Sequence, residues 1–186
     1  MRLFLAADID RDTNARVNEI IARLRAIDPS VKWVRPENHH ITVYFFGETD
    51  EATKDSIERI LEESAAGIGS FPVRIGGVSA FPTVERPRVL WIGVDNPGGE
   101  LAKLYETVRA SVRREKLSVK EEERGFTPHL TIGRVRERCS PALVREVKRS
   151  AEAAFGEFQV GAAVLYRSVL GRDGSVYTPL KTITLS

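Results

Sequence analysis

Two short segments of the 186-residue chain carry residue types that are suited to proton transfer. Each has the pattern His-x-Thr-x with an aliphatic residue at each x, at residues 40–43 and at residues 129–132. The pattern uses two of the three histidines in the chain. Successive side chains of a β-strand point to opposite faces. Each segment is therefore predicted to be a half-buried strand that presents an imidazole and a hydroxyl on one face.

Two imidazoles and two hydroxyls on the floor of one cleft would suit the hydrolysis of a phosphodiester. Because histidine has a pKa of about 6.5, one ring can accept a proton from the entering oxygen while the other donates one to the leaving oxygen. The hydroxyls of Thr42 and Thr131 can donate to the non-bridging phosphate oxygens. Threonine and aliphatic residues are common in strands, so one copy alone would indicate only a strand. The repetition favours the functional interpretation.

Longer strings around the two patterns resemble those of a known family. Residues 33–42 (WVRPENHHIT) and 126–131 (FTPHLT) are similar to the motifs of the 2H phosphoesterase superfamily, in its RNA 2′,3′-cyclic phosphodiesterase branch, also described as 2′-5′ RNA ligase-like. The resemblance runs from the opening strand at residues 2–6 to residues 177–180. It implies a bilobal α+β fold, with two lobes related by a pseudo-twofold axis. Each lobe would have an antiparallel sheet and helices, and the motif strands would face a central cleft.

The resemblance also implies a reaction and the residues that perform it. Members open a 2′,3′-cyclic phosphate at an RNA 3′ end to leave a 2′-phosphate. No carboxylate or cysteine cluster accompanies the motif residues of this chain, so we expect that no metal or cofactor is required. By motif match, His40 would be the proton donor to the leaving 3′-oxygen and His129 the proton acceptor that activates water. The residues alone leave these two roles interchangeable. The expected partners are RNA with a 2′,3′-cyclic phosphate end, tRNA halves included, or small cyclic nucleotides.

Two other functions use the same residues and stay open at this point. One is a 2′-5′ RNA ligase that joins tRNA halves, which is the reverse chemistry on the same groups. The other is a low-turnover module that binds RNA ends. Two intact motifs argue against a pure binding module, because binding alone does not require two imidazoles.

Two further side chains are candidates for substrate binding. Tyr44 continues the alternation of His40 and Thr42, so we expect it to face the cleft, where its ring can stack on a base. Arg134 matches a basic residue that commonly follows the second motif and that would bind phosphate. Strict alternation puts Gly133 on the cleft side, so Arg134 contributes only if the strand bulges or ends there.

The adjacent histidines His39 and His40 raise the alternative of a zinc site. On a strand they point to opposite faces, so they are poorly placed to share one ion. Two histidines and two threonines also differ from the usual zinc shell of three or four Cys, His or carboxylate ligands. We therefore expect no metal, and we interpret His39 as a structural or surface residue.

Composition predicts a globular protein of one domain, residues 1–186, with 42% hydrophobic and 29% charged residues. The formal net charge of +2 does not predict a broad RNA-coating surface. No apolar run approaches the roughly 20 residues of a membrane span, and the first residues lack the apolar run of a signal peptide. A single cysteine, Cys139, fits a reducing compartment. We expect a cytoplasmic monomer that does not associate with membranes.

The pattern of apolar residues and turn signals predicts the elements that carry the motifs. Helices are expected after Asp10, after Thr49 or Asp50, after the turn at residues 96–99, and at Ser140 with Pro141. A single strand is expected from Phe158 to Leu170, and the loop at residues 79–87 is interpreted as a long hairpin rather than a flap. The charged tract at residues 113–124 is expected to be a solvated helix end and loop, and residues 171–174 a tight turn.

Overall fold

The structure is a computed structural model that describes residues 1–119, 125–171 and 174–185. Part of the predicted charged tract, residues 120–124, and the centre of the predicted turn, residues 172 and 173, lie outside these ranges. The helices are α1 (Arg11–Ile27), α2 (Glu51–Ala65), α3 (Glu100–Arg114) and α4 (Pro141–Arg149), and a 3₁₀ turn spans Pro36–Asn38. The strands are β1 (Arg2–Asp8), β2 (Lys32–Trp33), β3 (His40–Glu48), β4 (Phe71–Pro82), β5 (Pro87–Asp95), β6 (His129–Arg134), β7 (Ala154–Val160), β8 (Ala162–Gly171) and β9 (Gly174–Thr184).

The predicted helix starts are confirmed by their capping side chains. The side chains of Asp10, Asp50 and Ser140 each accept a hydrogen bond from the backbone N–H three residues later. Each such bond satisfies one of the N–H groups that the first turn of a helix leaves without an intrahelical partner. Helix α3 begins differently, after Gly99, whose φ of 74° lies in the left-handed region that glycine adopts readily.

The described strands form one antiparallel sheet that divides into two lobes. Its strand order is β7-β4-β5-β6-β3-β1-β8-β9, and β2 pairs with β6. The motif strands β3 and β6 lie side by side at the centre of this order, so one lobe continues outward from β3 and the other from β6. The two motifs are therefore neighbours in space although they lie in different halves of the sequence.

Each lobe takes strands from both halves of the chain. Strand β5, which follows the first motif in sequence, pairs with the second motif strand β6, whereas the late strand β8 pairs with β1. The prediction of one strand from Phe158 to Leu170 was wrong, because the chain changes lobes at Gly161 between β7 and β8. Alternating apolar residues indicate an extended backbone, and the backbone is extended on both sides of that change.

The helices and the polar motif side chains belong to opposite faces of the sheet. Ile41 and Leu130, the aliphatic residues inside the two motifs, are fully buried in the same core cluster as the apolar faces of the helices. The imidazoles and hydroxyls therefore point to the other face. The interpretation of residues 79–87 as a hairpin is confirmed, since β4 extends to Pro82 and pairs there with Pro87 of β5. In the described ranges, the helices are too short or too polar to span a membrane.

Candidate active site

The two motifs meet at a single pair of buried residues. Ile41 of β3 and Leu130 of β6 are antiparallel register partners, and both are completely buried. In an antiparallel pair the flanking residues run in opposite directions. His40 therefore lies on the side of Thr131, and Thr42 lies on the side of His129. This arrangement places both imidazoles and both hydroxyls on one face around the seam between the lobes.

Each motif histidine is held by the backbone two residues before it. His40 Nδ1 lies 2.8 Å from the carbonyl oxygen of Asn38, and His129 Nδ1 lies 2.8 Å from that of Thr127. Because a carbonyl oxygen only accepts, Nδ1 carries the proton in both rings and donates it. Nε2 is left as the atom of each neutral ring that can accept a proton, and the backbone contact fixes the ring orientation.

His40 is enclosed by aromatic rings from two neighbouring strands. Its ring centroid lies 4.9 Å from that of Phe4 and 5.2 Å from that of Tyr177. In the neutral ring, the hydroxyl of Thr42 donates to Nε2 over 3.1 Å. Burial lowers the pKa of His40, the hydrogen bond to Asn38 and the carboxylate of Asp8 oppose this effect, and the nearby His129 adds to it.

His129 also lies beside two aromatic rings. Its ring is nearly perpendicular to that of Phe81, at 5.2 Å between centroids, and Trp91 lies at 6.2 Å. Its register partner on β5 is Gly93, which has no side chain to cover it. Two surface cavities of about 370 and 650 Å³ share Gly93 in their linings, but neither lining includes a motif histidine or threonine. These cavities therefore lie in the lobe of β6 and not at the motif residues.

The prediction that Tyr44 faces the cleft was wrong. In the pairing of β1 with β3, Ala6 opposes Thr42 and Leu5 opposes Tyr44, so Val43 is an extra residue that forms a β-bulge. A bulge shifts the alternation of side chains by one residue. Tyr44 is consequently buried in the core, 5% exposed, where its ring packs against Tyr105 of α3. A buried ring in this position does not reach a bound base.

The second motif strand has the corresponding bulge. Leu90 opposes Gly133 and Trp91 opposes Thr131, so Ile132 is the extra residue. Gly133 faces the core, where an added Cβ would lie 2.9 Å from Val31 Cγ1. The following residue, Arg134, is exposed and returns to the face that carries Thr131. The condition under which Arg134 could serve the cleft, a bulge in the strand, is therefore met.

The third histidine is part of the structure around the first motif. His39 is 5% exposed, and its Nδ1 lies 2.8 Å from the side-chain oxygen of Asn14 on α1. Burial lowers the pKa of His39 to about 4. In the part of the chain that the structure describes, no group of three or more His, Cys, Asp or Glu side chains is close enough to hold a metal ion.

The sequence interpretation missed the side chains that surround His40. Asp8 is the register partner of His40 on β1, and its two carboxylate oxygens accept the hydroxyl of Tyr166 at 2.8 and 2.9 Å. Phe4 and Tyr177 complete the wall around the ring. Asp8 ends a predicted strand, but no signal in the sequence indicates that β8 and β9 pack beside it.

The sequence and the fold were compared with those of known proteins. The sequence model of the 2′-5′ RNA ligase superfamily matches residues 12–172. The chain belongs to this superfamily. A protein of Archaeoglobus fulgidus named RNA 2′,3′-cyclic phosphodiesterase is 37% identical over 97% of this chain and 98% of its own length. A protein of the same name from Thermotoga maritima is also 37% identical, over 97% of this chain and 93% of its own.

Solved structures confirm the predicted bilobal α+β fold. The crystal structure of TT0787 of Thermus thermophilus superimposes with a TM-score of 0.85 at 28% identity, covering 100% of this chain and 98% of the other. Escherichia coli LigT complexed with 3′-AMP gives a TM-score of 0.80 at 23% identity, again over 100% and 98%. At that identity the likeness to LigT shows the shared fold.

Proposed function

We infer that this superfamily member is an RNA 2′,3′-cyclic phosphodiesterase that opens the cyclic phosphate to a 2′-phosphate. The observation that carries the proposal is the seam at Ile41 and Leu130, which sets two oriented imidazoles beside two hydroxyls on one face. The names of relatives that are more than 30% identical over nearly the whole chain support the same reaction.

The proposed reaction is an in-line displacement at phosphorus. Nε2 of His129 takes a proton from water as the water oxygen forms its bond to phosphorus. The bond from phosphorus to the 3′-oxygen breaks, and His40 donates its Nε2 proton to that oxygen. One water is consumed, one P–O bond forms and one breaks. The exchange of a proton between the two rings and solvent restores the starting state.

The remaining polar groups would stabilise charge on the phosphate. Thr42 and Thr131 donate hydrogen bonds to the non-bridging oxygens, where negative charge is concentrated. Arg134 lies on the same face two residues beyond the second bulge and would hold the phosphate by charge-assisted hydrogen bonds. Together these groups bind the reacting group from the side of β6 as well as from β3.

The decisive experiment uses an oligoribonucleotide that ends in a 2′,3′-cyclic phosphate, incubated with the protein in EDTA. We expect the substrate to gain one water, by mass spectrometry, and its phosphorus NMR signal to become that of a 2′-phosphomonoester. A 3′-phosphate product would contradict the proposed regiochemistry. Activity that EDTA abolishes and zinc or manganese restores would contradict the metal-independent mechanism.

The same assay distinguishes the alternatives. A ligase would instead join an added strand with a free 5′-hydroxyl to the cyclic end, which gives a longer product containing a 2′-5′ bond. Binding of the cyclic end without any change in mass would indicate an RNA-end-binding module. Parallel reactions with tRNA halves and with a cyclic mononucleotide would show which of the expected substrates the protein prefers.

A further inference from the structure

The two motif histidines differ in their register partners in the sheet. Asp8, the last residue of β1, is the register partner of His40, and side chains of register partners lie on the same face. The corresponding partner of His129 on β5 is Gly93. The lobes thus repeat the histidine and the threonine but not the acidic neighbour.

The Asp8 side chain is fixed in place by Tyr166 of β8. The phenol hydroxyl of Tyr166 lies 2.8 Å from one carboxylate oxygen and 2.9 Å from the other. Tyr166 is in turn held by Phe4, whose ring stacks on it at 5.4 Å, and Phe4 also packs against His40. Burial and the Asp8 carboxylate raise the pKa of Tyr166 above its usual value, so its hydroxyl stays protonated and donates.

We propose that Asp8, held by Tyr166, is a positioning residue that favours the protonated form of His40 and thereby makes His40 the proton donor. This inference rests on the proposed function, because a donor is needed only if a leaving oxygen must be protonated. A protonated His40 donates Nδ1–H to Asn38 and presents Nε2–H toward Thr42 and the cleft. His129, whose register partner is a glycine, acts as the proton acceptor.

The balance of groups around His40 explains why the carboxylate is required. The titratable groups beside His40 are Asp8 from β1, Tyr177 from β9 and His129 from β6, and Tyr166 from β8 donates its hydroxyl to Asp8. Burial and His129 disfavour a charged ring, whereas the Asp8 carboxylate favours it. The anionic phosphate of the substrate adds to its effect when it binds.

The test compares Asp8→Asn and Tyr166→Phe with a matched control, Glu48→Gln. Glu48 ends β3 as Asp8 ends β1, but it is the register partner of Arg2, at the far end of the strand from His40. We expect Asp8→Asn to move the alkaline limb of the kcat/KM profile to lower pH. On the alkaline side of the profile, kcat/KM should fall about three- to tenfold, as expected for the loss of a partly exposed charge. Tyr166→Phe should act in the same direction but less, and Glu48→Gln should leave the limb in place.

A nitrophenyl phosphodiester provides the discriminating readout, because its good leaving group does not need the proton. Asp8→Asn should leave this reaction nearly unchanged, whereas a loss of folding would lower both reactions equally. An alkaline limb that is the same in Asp8→Asn and Glu48→Gln would overturn the inference. So would equal losses on the two substrates in both Asp8→Asn and Tyr166→Phe.

NMR titration of His40 separates this inference from the proposed function. The signals of three histidines can be assigned with His40→Ala, and the His40 titration midpoint should fall in Asp8→Asn whether or not RNA is hydrolysed. An unmoved midpoint refutes the role of Asp8 even in an active enzyme. Failure of the parent protein to hydrolyse the cyclic end refutes the proposed function while leaving the measured effect of Asp8 on the ring intact.

Discussion

His40 and His129 are held in the same way but surrounded differently. Both donate Nδ1–H to a carbonyl oxygen two residues earlier, and a threonine follows each on the same face. His40 packs against rings from β1 and β9 and has a carboxylate as its register partner, whereas His129 packs against rings from β4 and β5 and has a glycine as its register partner. The repeat therefore supplies two equivalent groups, and the unequal walls of the lobes give them different environments.

The bulges that follow the two motifs likewise combine a repeated backbone with different side chains. In each motif strand one residue is inserted directly after the threonine. The residue two positions after the threonine therefore enters the core, and the residue three positions after it returns to the face of the threonine. That third residue is Arg134 in one lobe and Phe45 in the other, and the guanidinium carbon of Arg2 lies 5.1 Å from the centroid of the Phe45 ring. The backbone is therefore repeated more faithfully than the side chains.

The largest expected effect comes from removing either imidazole. His40→Ala and His129→Ala should each lower kcat about 10²- to 10⁴-fold, the range for one positioned acid or base. The double variant should lose less than the product of the single losses, because the pair acts as a unit. Single-turnover rates on the cyclic oligonucleotide measure both effects. Strictly multiplicative losses would mean that the two sites work independently.

The second prediction uses the leaving group to distinguish the two histidines. With a nitrophenyl phosphodiester, His40→Ala should recover about 10²-fold relative to the cyclic substrate, since the general acid is no longer needed. His129→Ala should not recover, because water must still be activated. Rescue of His129→Ala instead would reverse the two roles, and rescue of neither would indicate that the pair does not transfer protons.

The residue before the motif histidine differs between the two motifs: it is His39 in the first and Pro128 in the second. His39 therefore gives the first motif a pH-dependent effect on stability that the second lacks. The pKa of His39 is about 6.5 in the unfolded chain and is lowered to about 4 by burial. The unfolded state therefore binds the proton more tightly. The contribution of neutral, buried His39 to the free energy of unfolding is complete above pH 6.5. It is lost as the pH falls towards 4, by at most about 3 kcal/mol.

Urea unfolding of the parent and His39→Gln between about pH 4 and pH 7 measures this contribution. The variant should depend less on pH over this interval, and its turnover at neutral pH should stay within a few-fold of the parent. The same pH slope in both proteins would contradict the buried, neutral state of His39. A turnover loss larger than that of His40→Ala would instead show that the chemistry belongs to the other face of β3.

The smallest expected effect tests the two bulges. Arg134→Ala should raise KM about tenfold with little change in kcat, because it removes charge-assisted hydrogen bonds to phosphate. Tyr44→Phe is the matched control, since this ring lies in the core, and it should alter thermal stability rather than KM. An increase in KM for Tyr44→Phe equal to that for Arg134→Ala would show that the positions of these two side chains relative to the cleft are wrong.

The side chains that share one face of each motif strand, and much of the local structure, could be predicted from the amino-acid sequence. The repeated His-x-Thr-x pattern predicted which residues share a face, because a strand has a period of two, and the helix starts followed from their capping residues. The family resemblance added the bilobal fold, which is confirmed, and the reaction, which stays a proposal. These features depend on neighbours in sequence or on motifs that remain visible in it.

The surroundings of each motif, by contrast, depend on tertiary contacts. A bulge in each motif strand turns Tyr44 into the core and returns Arg134 to the face of Thr131. A bulge depends on how partner strands align, and the period of one strand does not encode its pairing partners. The break at Gly161 and the packing of Tyr166 beside Asp8 likewise require distant parts of the chain to meet. Asp8 therefore gains its neighbour His40 only when β1 and β3 pair, and its partner Tyr166 only when β8 joins them.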